Sequence, residues 1–315
     1  MAKAETKRIT RLIDRAVEIL GEESPMTIRQ LFYRLVSIGA LENSRPDYVK
    51  VSRIMTIARN DGRVDWDAIV DRSRPDYAPT VWTDAAEYVE TIRNGYRKDY
   101  WNTQPALVEI WVEKDAVVGS IEDLTNELGV RTRPGKGFQS TTKAHEIAEL
   151  FSQVTKPIFV YYLGDHDPSG RSAEDELGER VHQHLFNLLL NEEIEHNDLD
   201  EDGWPRRIRR AGTGTYASLE RLAIHPEDIR AFRLPPLKVK STDSRAPAFQ
   251  RKYGSRCVEL DALPVVELRK RIRAAIEQHI DWSAWNRAIA AEKAETRSIL
   301  DFAERLQGLS HPSAD

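Results

Sequence analysis

A single cysteine, Cys257, in 315 residues excludes an internal disulfide framework and any multi-cysteine zinc site. No apolar run is long enough to span a bilayer, and the first residues lack the charged-then-apolar leader of a signal peptide. These absences predict a cytoplasmic protein with no membrane partner. Excess positive charge is missing too. A formal net charge of −5 argues against a generic nucleic-acid coat, so any DNA contact must come from local basic faces. Gly135-Lys136-Gly137 is too short for the GxxxxGK[ST] loop that cradles phosphates, which excludes a P-loop NTPase. What is present is 40% hydrophobic and 31% charged, the balance of a soluble globular chain long enough for two domains.

The chemistry gathers around two stretches. Ile158 to Tyr162 is apolar or aromatic with no charge, the pattern of a buried parallel strand. It runs into Gly164-Asp165-His166-Asp167-Pro168-Ser169-Gly170, a tight turn before a helix. A second such strand, Leu107 to Val112, ends at Glu113. Placed side by side, the strands bring Glu113 to Asp165 and Asp167 at the carboxyl edge of the sheet, where open α/β sheets bind ligands. Carboxylates that close repel one another unless a cation sits among them, and hard oxygen donors select Mg²⁺ or Mn²⁺ over zinc. The plainer alternative is solvated carboxylates that cap the following helices.

A strand ending in Val112-Glu113-Lys114, a glycine-containing segment at Gly135–Gln139 and a strand ending in Asp165-x-Asp167-Pro168-x-Gly170 together resemble a Toprim domain. The Asp-Pro-x-Gly form is most similar to the A subunit of topoisomerase VI and its relatives among the meiotic double-strand-break proteins. That resemblance implies Mg²⁺ ligation by Glu113, Asp165 and Asp167.

Upstream, Ile9, Leu12, Ile13, Ala16, Val17 and Leu20 share one face of an amphipathic helix that Gly21 is expected to end. Thr27 and Gln30 have capping-box spacing, which starts a helix near Ile28 that ends before Gly39. Ile28, Leu31, Leu35 and Ile38 form its apolar stripe, and Tyr33 points away from it on a face shared with Arg29 and Ser37. Taken alone, that pattern is an exposed tyrosine on an ordinary surface. The resemblance implies more. The same relatives carry an Arg-x-x-Phe/Tyr-Tyr element on a winged-helix domain, matched here by Arg29-Gln30-Leu31-Phe32-Tyr33. It assigns Tyr33 as the DNA-cleaving nucleophile and Arg29 as its phosphate-contacting neighbour. A guanidinium beside a phenol favours the phenolate.

A helix from Arg45 to Asn60, with Pro46 in its first turn, turns Tyr48, Val51, Ile54, Met55 and Ala58 inward and Lys50, Arg53 and Arg59 outward. The outward cations either meet DNA phosphates or form a solvated face. Asp61-Gly62 and Arg63 to Arg74 resemble a turn and wing. The expected architecture is α/β: a winged helix-turn-helix over residues 1–80, a connecting helix over 81–105, and a Toprim parallel-sheet domain with C-terminal helices over 106–315. Within the last, Val130 to Arg133 reads as a strand, Thr141 to Val154 as a helix and Asn191 to Gly203 as an acidic loop. Trp204 to Arg210 reads as a strand with a basic face or a charged edge, and His182 and His184 as surface. Lys238, Lys240, Arg245, Arg251, Lys252 and Arg256 form a second candidate DNA contact.

The leading expectation is Mg²⁺-dependent cleavage of double-stranded DNA, in which Tyr33 forms a 5′-phosphotyrosyl link. The alternatives are a Toprim nuclease using metal-activated water, or a catalytically idle DNA-binding module. The chain begins almost at the tyrosine motif. It thereby resembles the minimal A-subunit relatives of bacteria, phages and mobile elements that act without an ATPase B subunit, with unidentified partner proteins left open. The resemblance further implies a homodimer in which one subunit's tyrosine faces the other's metal.

Overall fold

A computed structural model describes residues 2–70, 80–135, 141–195, 217–240 and 242–310. At its centre lie β1 (Leu107–Val112) and β3 (Ile158–Leu163), the two apolar runs, hydrogen-bonded in parallel with Val112 opposite Leu163. With β2 (Arg131–Pro134) and β4 (Ala217–Ala223) they make a four-stranded parallel sheet of order β2-β1-β3-β4. Near-continuous apolar strands require cover on both faces. On one face Trp111, Val160 and Tyr162 pack with Ala144, Phe151 and Leu177, brought by α6 (Thr141–Ser152) and α7 (Pro168–Glu195). The other face receives α5 (Asp115–Glu127) and α10 (Val265–Glu277). The protein is α/β, and its alternation of strand and helix is the one expected.

One charge inside this core was not anticipated. Glu109 on β1 is 2% exposed, and its carboxylate accepts two bonds from the Arg133 guanidinium, at 2.6 and 2.9 Å, and a third from the Trp111 indole at 2.9 Å. The parallel register supplies the reason, since Trp111 faces Arg133 across β1 and β2.

The N-terminal helices are α1 (Ala2–Glu23), α2 (Ile28–Ser37) and α3 (Arg45–Asn60). The capping box forms: the Thr27 side chain accepts from Gln30 N–H at 3.1 Å, and Gln30 Oε1 accepts from Thr27 N–H at 2.7 Å. Gly21 does not end α1, which runs on to Glu23. The stop falls before Pro25, because the residue preceding a proline is pushed out of helical geometry. After α3 the chain makes a 3-10 turn, Trp66–Ala68, and one isolated bridge between Met26 and Ile69. Up to residue 70 the expected wing is therefore a turn rather than a hairpin. Its remainder, residues 136–139 and the basic strand 204–210 lie outside the described residues, as does the expected acidic loop from residue 196 on; residues 191–195, expected in that loop, continue α7 instead.

Helix α2 is fastened to the sheet unit at several points. Gln30 Nε2 donates to Ser120 Oγ on α5 at 3.1 Å. Arg269 on α10 donates to the carbonyls of Ser120, Ser24 and Pro25 at 2.7 to 3.1 Å. Glu23 accepts from Val265 N–H at 3.2 Å. Accordingly, Met1–Ser73 groups with Leu107–Gln278 in one compact unit, a grouping that runs across the boundaries expected at 80 and 105. Arg74–Ala106 and His279–Asp315 form a second unit. There the segment that follows α4 (Ala85–Gly95) is joined to α11 (Trp282–Ser310) by Lys98 to Glu295 at 2.6 Å and by edge packing of Trp101 and Tyr100 on Trp285.

Candidate functional site

Parallel pairing of β1 and β3 delivers Glu113 to the Asp165 turn, as expected. Glu113 N–H donates to Leu163 O at 2.8 Å, and Glu113 Oε2 accepts from Asp165 N–H at 2.7 Å. The glycines of the motif now have a mechanical explanation. A Cβ on Gly164 or Gly170 would stand 2.7 or 2.9 Å from Glu113 Oε2, and one on Gly135 would strike the Glu113 carbonyl. Two glycines thus close around the Glu113 carboxylate and a third around its backbone. Burial and the neighbouring Asp165, with a further contribution from Asp167, push the Glu113 carboxyl up to about 7, against the pull of its backbone hydrogen bond. Asp167 faces the other way along the turn: its Oδ1 accepts from Gly170 N–H at 2.7 Å and Ser169 Oγ at 2.8 Å, capping α7.

Two further acids, which the sequence did not single out, complete the cluster. Lys114 Nζ lies 3.0 Å from Asp165 Oδ2, 3.1 Å from Glu259 and 3.1 Å from Asp261, the last carboxylate fully buried. Burial works against the ammonium, but these acids raise its pKa. Asp165 Oδ1 accepts from Leu260 N–H at 2.8 Å. Only the folded chain brings residues 259–261 here. They lie some 95 positions beyond the turn, and no spacing rule joins them to it.

Tyr33 reaches this cluster through Arg29. Arg29 Nε donates to Glu259 Oε2 at 2.6 Å, and its guanidinium stands 5.6 Å from the Tyr33 ring centre. Two expectations require correction here. Tyr33 is only 4% exposed, because the face of α2 opposite its apolar stripe is covered by the turn Leu260–Ala262. The periodicity of α2 alone describes a helix with a free side, and α2 has none. The phenol is also not activated: burial, and then Glu259, push its pKa up to about 12, outweighing Arg29 and Lys114.

Two buried groups brace the turn. Arg221 on β4 donates to Glu174 at 2.7 Å and to the carbonyls of Gly164, Asp165 and Ala223 at 2.7 to 3.2 Å, so a strand cation holds the backbone carrying both aspartates. Arg221 shares its strand with Ser218 and Glu220, so no pattern in the sequence marked it. His166 is fully buried against the rings of Phe249 and Tyr253, and both its ring nitrogens lack partners among the described residues.

Phe249 and Tyr253 belong to α9 (Ala246–Tyr253), which carries the exposed Arg251 and Lys252. Lys238, Lys240 and Arg256, from the short antiparallel pair β5 (Leu237–Lys238) and β6 (Arg256–Cys257) and its surroundings, are exposed as well. The His166–Val258 bridge seats this basic segment beside the acidic turn. On α3, Arg53 is exposed and Lys50 half-buried. Arg59 is not a free outward cation: its guanidinium donates to the carbonyls of Trp66 and Ile69 at 2.5 and 2.6 Å.

Clustered carboxylate oxygens, and the repulsion that raises Glu113, suit a hard divalent cation in kind. Among the described residues, no three His, Cys, Asp or Glu side chains are gathered as a ligand set: Asp165 is held by Lys114 and Asp167 by the start of α7. Comparison with known proteins returned no matching family model, curated protein or solved structure.

Proposed function

We propose that the protein cleaves double-stranded DNA in the manner of a topoisomerase VI A subunit, with Tyr33 as nucleophile and the Glu113–Asp165–Asp167 turn as a Mg²⁺ or Mn²⁺ centre. One observation carries this reading: Arg29, one turn before Tyr33, shares Glu259 with Lys114, which in turn binds Asp165. The tyrosine motif and the acidic motif, 80 or more residues apart, thus meet in one ion-pair chain. The phenol oxygen would bond to a backbone phosphorus, losing its proton, and the 3′ oxygen would leave, which gives a 5′-phosphotyrosyl end. The bound cation would neutralise charge on the phosphate and on the leaving oxygen. Arg29 orients the phosphate. Lys238, Lys240, Arg251 and Lys252, beside the acidic turn, and Lys50 and Arg53 on α3 take the flanking backbone. A homodimer would present two such centres to the two strands of a duplex.

A second reading, hydrolysis by metal-activated water, is favoured by the burial of Tyr33 and its high phenol pKa. Denaturant trapping of end-labelled duplex in Mg²⁺ separates the two. The expected result is a covalent adduct with wild type and none with Tyr33→Phe or with Asp165→Ala, Asp167→Ala. Cleavage that persists in Tyr33→Phe without an adduct would establish the nuclease. Absence of metal-dependent cleavage in wild type would leave a DNA-binding module.

A further inference from the structure

A recess of about 440 Å³ opens between α2, α3 and the Ile69–Val70 segment, apart from the acidic turn. Its volume falls in the range of small-molecule sites and exceeds what a lone phosphate ion fills. Arg59 lines it. That guanidinium makes its hydrogen bonds to two backbone carbonyls, lies over the Trp66 ring at 4.7 Å, and has no carboxylate partner among the described residues. A guanidinium on the wall of a recess, with no carboxylate to neutralise it, suits an anion. The opposite requirement is met by Tyr48 and Val70, both partly exposed. The Tyr48 ring is held in place by an edge contact with Phe32 at 5.5 Å. Aromatic faces of this kind stack on nucleic-acid bases with little regard to sequence. Ser52 and Thr56 add hydroxyls between the cationic and apolar ends.

We infer that this recess binds a single nucleotide, its phosphate on Arg59 and its base against Tyr48 and Val70. The nucleotide is either a free mononucleotide or one unpaired residue of a strand, and both present the same phosphate and ring. Arg29 also lines the recess, so it borders both the nucleotide and Tyr33. The inference does not depend on Tyr33 cleaving DNA, and its test reads binding without any cleavage step.

Titration calorimetry of the full chain, in chelator, with thymidine 5′-monophosphate, thymidine and inorganic phosphate decides it. The expected result is one site for the monophosphate, at least tenfold tighter than for either fragment. Thr56→Leu, which fills the recess from an exposed helix position, should abolish that binding. Arg59→Gln should weaken the monophosphate tenfold or more and leave thymidine unchanged. Because Arg59 also ties down Trp66 and Ile69, Thr56→Leu carries the test should Arg59→Gln fail to fold. A 5′-phosphorylated oligothymidylate that binds more tightly than the monophosphate assigns the site to strand ends, and equal binding assigns it to free nucleotide. A monophosphate that binds no better than inorganic phosphate, or that binds Thr56→Leu as well as wild type, overturns the inference.

Discussion

Glu113 holds a proton that an exposed glutamate would release. Its carboxyl titrates near 7 in the fold against an ordinary value of 4.5. Between those pH values the native chain keeps the proton and the unfolded chain has lost it. The stability this group contributes is therefore full below pH 4.5 and lost as pH rises through about 7, a change of about 3 kcal/mol at most. Urea melts at pH 5 and pH 8 in chelator should show this loss in wild type and not in Glu113→Gln. An unchanged pH slope in Glu113→Gln would mean that Glu113 ionises normally. Under the proposed function, saturating Mg²⁺ should flatten the same slope, because a cation among the acids lowers the Glu113 pKa.

At the scale of elements, what was legible had a local cause. The Thr27–Gln30 box, Pro46 in the first turn of α3, and the apolar runs of β1 and β3 each contain their own instruction, and each element formed within a residue or two of its expected bounds. The meeting of Glu113 with the Asp165 turn was legible as well, because two parallel strands of matched length leave their ends level. What stayed hidden depends on who packs against whom. Glu259, Asp261 and Arg221 join the site by tertiary contact, and Tyr33 is covered by a turn more than 200 residues away in the chain. Glu109 belongs to the same class: a strand residue whose partner, Arg133, is chosen by register. Glu109→Ala should cost about 3–5 kcal/mol by stranding that buried guanidinium. Glu109→Ala with Arg133→Leu should recover part of that loss, and additive losses in denaturant melts would disprove the coupling.

At the scale of the molecule, the arrangement of Tyr33 bears on how paired chains would divide the work. The resemblance implies crossed sites, one chain's tyrosine on the other's acids. Yet Arg29, beside the Tyr33 ring, is linked through Glu259 to the Lys114 and Asp165 of its own chain. Each copy therefore carries both halves, and Tyr33→Phe mixed with Glu113→Ala should give heterodimers that do not cut. Nicking by verified heterodimers of these two variants would establish the crossed arrangement instead.

The bond from Arg29 to Glu259 spans 230 positions, and Glu23 reaches Val265 across 242. On a ribosome adding about 5–20 residues per second, α2 waits roughly 10–50 s for the segments that cover it. Through that interval Leu31, Phe32, Leu35 and Tyr33 have only α1 and α3 for shelter, and the side later sealed by Leu260–Ala262 stands open to other nascent chains. The arrival of residues 259–272 thus acts as the closing event of synthesis. A chain truncated before residue 259 should be retained by chaperones, whereas the full chain should not.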